Sequence, residues 1–364
     1  MKGNLRPEAS RVLVALSGGV DSAVAAYLLK SKGDAISAVY MRTWQNGDGP
    51  GECPWREDLE SARAVAEFLD IPFAVVSMIE KYRQFVVEPL INGYHNGITP
   101  NSDILCNQFI KFGALLNYAQ ENSFSHLATG HYCQIEEENG KFFILEGTDC
   151  AKDQSYFLAR VAGKVLPHVL FPVGKLLKTE VRDLALQIGL PNAQRKESQD
   201  ICFLGGKITL QNFLHSHLPE EPGEIVSADG KVLGLHRGLY RYTLGQRNGI
   251  GIPSNRDFEK FVVVGKDLAK NQLIIAFESD PNNGLIINSI RLTDMHFFTE
   301  PLIGCHNFLA KVRYRDPVTP VRVSFTPNCL ATVEFAQAQR ALAGGQICAI
   351  YDGPRLIGSG IYAP

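Results

Sequence analysis

No excess of charge marks this chain: 36 lysines and arginines stand against 38 aspartates and glutamates, a formal net charge of −2. A protein coated in positive charge for nucleic acid is thereby excluded, although a local basic face is not. Long apolar runs are also missing. The hydrophobic stretches are strand-sized and the N-terminus has no run of signal-peptide type, so neither membrane spanning nor export is expected, and the chain is placed in the cytoplasm. No two of the eight cysteines have C-x-x-C spacing, which argues against an ordinary zinc site. In a reducing cytosol they read as buried small hydrophobes or reactive thiols, not as a disulfide scaffold. No segment reads as disordered and no internal repeat is evident. What is left is ordinary globular composition, 45% hydrophobic and 20% charged over 364 residues, enough for two or three domains.

Against that plain background one run stands out, Ser17-Gly18-Gly19-Val20-Asp21-Ser22. It joins an apolar strand, Arg11 to Leu16, to a helix rich in alanine and leucine, Asp21 to Lys32. Adjacent glycines let a backbone turn tightly and bring its N–H groups to an anion, and the following helix aims its positive dipole end at the same place. Ser17 and Ser22 add hydroxyl donors. The lysine of a kinase-type P-loop is absent, so nothing here reaches for a γ-phosphate in transfer. The loop is suited to pyrophosphate, and it resembles the SGGxDS signature of the ATP pyrophosphatases, which place AMP on a substrate oxygen. On that resemblance Ala15, Leu16, Ser17, Gly18, Gly19, Val20, Asp21 and Ser22 are expected at ATP.

The pattern after this loop alternates strand and helix. Strands are expected at Ala35 to Tyr40, Pro72 to Val76 and His126 to Ala128, with helices around Leu59 to Leu69 and Ile110 to Glu121. Such alternation implies a doubly wound parallel α/β sheet whose ligands sit at the carboxyl ends of the strands, where Met41 and Gly130 also arrive. Beyond Gly205 the helical period fades into short strands and turns. A hairpin with a type I′ turn is expected at Asp229-Gly230. The chain is divided into a catalytic domain, 1–207, a central linking β domain, 208–280, and a C-terminal β-barrel, 281–364. Lys311, Arg313 and Arg315 alternate along an expected strand, which would put all three on one face.

Two cysteines lie in polar, loop-like words: Cys106 in TPNSDILCNQFIKFG and Cys202 in KESQDICFLG. A thiol near a helix N-terminus gains thiolate character from the dipole, and Cys106 is expected directly before the helix that carries Lys111. Asp103 reads either as a proton-handling carboxylate or as a helix cap.

Together with ATGHY, KDQSYFL, YTLGQR, KVRYR and Gly345-Gln346, these words resemble the tRNA-specific 2-thiouridylases over essentially the whole chain. The resemblance implies a PP-loop domain of the adenine nucleotide α-hydrolase type followed by two small β domains, the last a β-barrel. It implies ATP and Mg2+ as cofactors, tRNA as partner through its anticodon stem-loop and wobble uridine, and an upstream sulfur carrier or cysteine desulfurase. Adenylation of uracil O2 makes a poor leaving group good. Sulfur then arrives as a persulfide on Cys202 with Cys106 as partner thiol, by released hydrosulfide or by direct attack. Asn101, Ser102 and Asp103 match the positions that meet the base. The family has proline where Ser102 stands, which puts the rigidity of that turn in question. Lys152, Asp153, Gln154, His131, Arg313, Tyr314 and Gln346 match positions that meet tRNA. The rivals are an amide-forming synthetase of the same fold, which would need neither cysteine, and a non-catalytic tRNA-binding relative.

Overall fold

The computed structural model describes residues 11–45, 55–196, 209–254 and 259–363. Cys202 and most of its motif lie outside them.

Alternating apolar residues in the first strand dictate a two-faced sheet. Strands β1 (Arg11–Ala15), β2 (Ala35–Arg42), β3 (Phe73–Ser77), β4 (His126–Ala128) and a short fifth strand at Val169–Leu170 pair in parallel, in the order β3-β2-β1-β4 and then Val169–Leu170. Val12 and Val14 of β1 face one way, into a core built with α1 (Val20–Lys32), α2 (Trp55–Phe68) and the helix Lys178–Gln187. Leu13 faces the other, against the helical stretches 79–95 and 102–121. Both faces are therefore covered, as a parallel sheet requires. The order reverses beside β1, and the crevice at that switch point is where ligands of doubly wound sheets bind. The glycine loop occupies it.

The central domain is a four-stranded sheet of Gly223–Ser227, Val232–His236, Phe261–Asp267 and Gln272–Phe277. Its first hairpin departs from expectation. Gly230 alone has positive φ at the turn, +84°, Asp229 does not, and the Gly230 N–H donates to the Ser227 carbonyl. This is a type I turn followed by a left-handed glycine, with the bulge that such a turn imposes between Ile225 and Val226. A type I′ turn needs both central residues left-handed, and aspartate pays for that where glycine does not.

The C-terminal domain closes into a barrel through Ile286–Phe297, which pairs with Leu330–Arg340 on one side and Arg355–Tyr362 on the other. An antiparallel hairpin of the catalytic domain, Cys133–Glu138 and Lys141–Glu146, adds to the outside of the last barrel strand, Leu145 opposite Arg355 and Ile144 opposite Leu356. Arg355 reinforces the joint with ion pairs to Glu136 and Glu138.

Candidate active site at the carboxyl edge of the parallel sheet

Gly18 sets the shape of the phosphate loop. Its φ is +81°, and a Cβ there would lie 2.5 Å from the Asp58 carbonyl and 2.7 Å from the Arg195 guanidinium, so only glycine fits. Its carbonyl is held by Ser61 Oγ at 2.7 Å, Asn192 Nδ2 at 2.9 Å and Arg195 Nη1 at 3.1 Å, and Arg195 also pairs with Asp58. Three donors on one carbonyl fix the peptide plane. Ser22 Oγ donates to the Gly19 carbonyl at 3.0 Å and lies 3.2 Å from Ser17 Oγ, which closes the loop internally. Leu16, Val20 and Ser22 are buried, so they shape the loop from beneath. Gly130 at the end of β4 packs on the first turn of α1, where a Cβ would meet Ser22 N at 2.7 Å. Met41, at the end of β2, is half-buried beside this edge.

The cation that the loop motif lacks comes from elsewhere. Lys178 Nζ donates to both carboxylate oxygens of Asp21, at 2.6 and 2.8 Å, and Tyr132 Oη donates to the same carboxylate at 2.7 Å. Lys178 opens the Lys178–Gln187 helix, and Asp149 accepts its backbone N–H at 2.9 Å. The sequence signal was faint: a lysine at a helix start with no motif of its own. Gly18 free of a side chain, serine hydroxyls, a helix N-terminus and a lysine at its flank fit a nucleotide's phosphates. Among the described residues no cluster of His, Cys, Asp and Glu forms a metal cage.

The cysteine half of the site sits on the neighbouring helical stretch. Asn101 caps it, its Oδ1 accepting from the backbone N–H of Asp103 at 3.1 Å and of Ile104 at 3.2 Å. Ser102 is the first helical residue, where proline is also at home, and the cap holds the turn that a proline would have stiffened. Asp103 is thus not the cap. Burial raises its carboxyl above the usual value, with the charge of Lys111 pulling the other way.

The helix starts at Ser102 and not after Cys106, which corrects the expectation for the thiol: Cys106 is in the second turn, 3% exposed, where the dipole acts weakly. From Cys106 to Leu115 the winding is π-helical. Asp103 and Cys106, three residues apart, share one side of the stretch. His131, from the end of β4, is buried; Thr129 Oγ1 lies 2.7 Å from its Nδ1 and Lys111 Nζ 3.5 Å from its Nε2.

The tRNA-assigned positions fall into two groups. Gln346 and Arg313 line a cleft of about 360 Å3 with Thr99, Thr243, Arg340 and Tyr362, where the three domains meet. Gln346 Nε2 donates to the Thr99 carbonyl at 2.6 Å, and Arg313 holds the carbonyls of Arg340 and Ala341. Asp153 belongs to the interior. It is 4% exposed and accepts from Gly147 N, Ser155 N, Ser155 Oγ and Lys311 Nζ. Gln154 Oε1 accepts from Tyr132 N, and Lys152 is half-buried beside it. The Tyr314 ring packs tilted against Phe157, centroids 4.2 Å apart. The expected basic strand face is not formed: the strand ends at Lys311, residues 312–316 turn, and Lys311 is buried against Glu146 and Asp153. The proline at 317 and the positive φ of Arg315 break the strand.

Comparison with known proteins places this geometry. Three family models match in order: tRNA methyl transferase HUP domain at residues 10–206, tRNA methyl transferase PRC-barrel domain at 211–277 and aminomethyltransferase beta-barrel domain at 287–362. The tRNA-specific 2-thiouridylase MnmA of Akkermansia muciniphila is 43% identical over 97% of this chain and 98% of that protein. The tRNA-specific 2-thiouridylase MnmA 1 of Geobacillus kaustophilus is 41% identical over 96% of this chain and 95% of its own. Among solved structures, NMN synthetase from Francisella tularensis aligns with 57% of this chain and 72% of that one, at 20% identity and a TM-score of 0.35, and nothing further rests on it. With a glycine loop, an Asp-x-x-Cys helix and both β domains matched along its length, the chain belongs to the tRNA-specific 2-thiouridylase family, enzymes that transfer sulfur to tRNA.

Proposed function

We propose that this enzyme performs ATP-dependent 2-thiolation of the wobble uridine of tRNAs for lysine, glutamate and glutamine. Uracil O2 attacks the α-phosphorus of ATP; an O–P bond forms to AMP and pyrophosphate leaves. Ser17 to Ser22 with Lys178 hold the departing pyrophosphate, and Met41 and Gly130 border the adenosine. Lys178 donates to a carboxylate in the resting loop, so it is preorganised beside the negative charge that develops as pyrophosphate leaves. Magnesium would neutralise part of that phosphate charge, and Asp21 is the loop carboxylate able to face it.

Sulfur then replaces the activated oxygen. A persulfide on Cys202, loaded by an upstream sulfur donor in the cytoplasm, supplies it. Either Cys106 attacks the Cys202 persulfide and frees hydrosulfide for C2, or the persulfide attacks C2 and Cys106 cleaves the S–S bond afterwards. Both routes expel AMP and leave a Cys106–Cys202 disulfide for a reductant. Asp103 handles the proton at base or thiol, and its raised pKa suits proton exchange. Burial of the Cys106 thiol keeps water from an activated intermediate. Asn101, Ser102 and Asp103 receive the base once it leaves the anticodon stack. His131, Lys152, Gln154, Arg313, Tyr314 and Gln346 border the path of the tRNA, with Asp153 beneath them as support.

The observation that carries this reading is the proximity of two halves along one sheet edge: a phosphate loop after β1 and the Asp103–Cys106 helix joined through His131 at the end of β4. Mass analysis of nucleosides from unmodified tRNA incubated with protein, ATP, magnesium and sulfide tests it. A wobble uridine heavier by one oxygen-to-sulfur exchange is expected, with one AMP per product. Product formation by both the Cys106→Ser and Cys202→Ser variants, with sulfur supplied on a carrier, would sink it.

A further inference from the structure

The ring of His131 has no nitrogen to spare. Lys111 donates toward Nε2, so the ring proton sits on Nδ1 and is donated to Thr129 Oγ1. Burial, with the positive charge of Lys111 beside it, pushes the imidazole well below its ordinary pKa and keeps it neutral. Phe112 and Phe171 pack against the ring at 5.7 and 5.9 Å. Lys111 is placed differently. It is half-buried, its ammonium lies 3.5 Å from the imidazole and close enough to the Asp103 carboxyl for its charge to act there, and three N–H donors leave it able to meet a further acceptor. The helix that carries it carries Asp103 and Cys106 as well, while His131 follows Gly130, which packs on the start of α1. Lys111 therefore stands between the cysteine half of the site and the phosphate half.

We propose that Lys111 is a further group that meets substrate at this corner, that its ammonium binds a phosphate oxygen of the nucleotide being modified, and that the His131 ring at the edge of the tRNA path also positions that ammonium. This rests on the thiolation reading above. The phosphate has two possible sources, the AMP joined to the activated base and the tRNA backbone, and the chemistry of recognition is shared.

Lys111→Met, Lys111→Arg and His131→Asn are assayed for thiolated tRNA, for release of AMP from ATP, and for tRNA affinity across a salt series. If the phosphate is that of the adenylate, Lys111→Met loses about 100-fold or more in kcat at saturating tRNA with unchanged affinity. If it is a backbone phosphate, tRNA affinity falls and the slope of log K against log salt drops by about 0.7 to 0.9. Lys111→Arg keeps the cation and recovers a large part of either loss, a rescue that a packing role would not give. His131→Asn reduces kcat less than Lys111→Met and leaves the salt slope alone. Lys111→Met with unaltered thiolation and unaltered tRNA affinity overturns the proposal. So does a folded Lys111→Arg as inactive as Lys111→Met, and should the methionine variant not fold, Lys111→Gln takes its place. Wild-type protein run alongside separates the two readings: no thiolated product from wild type refutes the function, whereas product from wild type and equal product from Lys111→Met refutes only the role of Lys111.

Discussion

Replacing Lys266 by methionine should stabilise the protein at neutral pH and do so less and less as the medium turns alkaline. Lys266 lies opposite Leu273 in the central sheet, on the face that carries Ile275, Phe261 and Phe277 into the core of that domain. Its ammonium is buried without a hydrogen-bond partner among the described residues. Burial of the charge lowers the pKa from 10.5 to about 8. At ~1.36 kcal/mol per unit, that difference is a cost of about 3 kcal/mol for charging the folded state. The folded pKa is below the unfolded one, so the unfolded chain holds more protons between the two values. The cost is complete below pH 8, falls as pH rises from about 8 to 10.5, and is gone above that. Methionine keeps the length and has no charge to bury. Calorimetry at pH 7, 8, 9 and 10 on both proteins, read as a difference so that other groups cancel, should show a gain of order 10 °C at pH 7 for the transition of a domain this small. At pH 10, still about half a unit below the unfolded value, it should have fallen to about a quarter of that. Equal or lower stability of Lys266→Met at pH 7, or a gain independent of pH, would refute the reasoning.

Other consequences follow from the same physical arguments. Gly18→Ala should abolish ATP binding by isothermal calorimetry, because the Cβ falls 2.5 Å from the Asp58 carbonyl at a left-handed φ and costs about 1–3 kcal/mol of strain besides. Lys178→Met should lower AMP release by about 100-fold while leaving tRNA affinity unchanged, the signature of a donor that acts as pyrophosphate departs. Lys311→Met should destabilise by about 3 kcal/mol in urea titrations, since the Asp153 carboxylate loses its cation at a site where its side chain is 1% exposed. Lys311→Met with Asp153→Asn should recover most of that loss, because the fully buried charge is gone and the Glu146 carboxylate, which also loses its partner, still reaches water.

The phosphate half of the site was legible because each device is local. A strand, a glycine pair and a helix start lie within a dozen consecutive residues, and spacing alone predicts the turn. The cysteine half was legible as motif but not as geometry. Asn101 takes the cap, so the helix starts a turn early and Cys106 is carried inside it. A side-chain competition for two backbone N–H groups decides this, and periodicity does not report it. The basic strand at 311–315 failed for a related reason. Alternation of Lys311, Arg313 and Arg315 has the right period, yet Lys311 finds two carboxylates from another domain, and the chain turns at once. The long first barrel strand, Ile286–Phe297, escaped because it pairs with two partners through shifted registers, which erases the alternation by which a half-buried strand is recognised.

Partners from distant sequence also explain why the barrel is tied to the Asp103–Cys106 helix and is not an appendage. The Thr99 backbone is gripped from both sides by the barrel: its N–H donates to the Gly344 carbonyl at 2.9 Å and its carbonyl accepts from Gln346 Nε2 at 2.6 Å. Gly345 permits this approach, with φ at +85° and an imagined Cβ 3.1 Å from Thr99 N. Thr99 stands two residues before the Asn101 cap that sets where the Asp103–Cys106 helix begins. The barrel strands meanwhile hold the 153–160 segment through Lys311 on Asp153, Tyr351 beside Ser155 and Ser359 on the Ala159 carbonyl. Asn107 Nδ2 in turn donates to the Phe157 carbonyl of that segment. The cysteine helix is thus fixed at its start through Thr99 and along its length through Phe157, and both anchors lead to the last domain. A perturbation of the barrel reaches the thiol through two short chains of hydrogen bonds, so the position of Cys106 depends on residues more than two hundred places further along the chain.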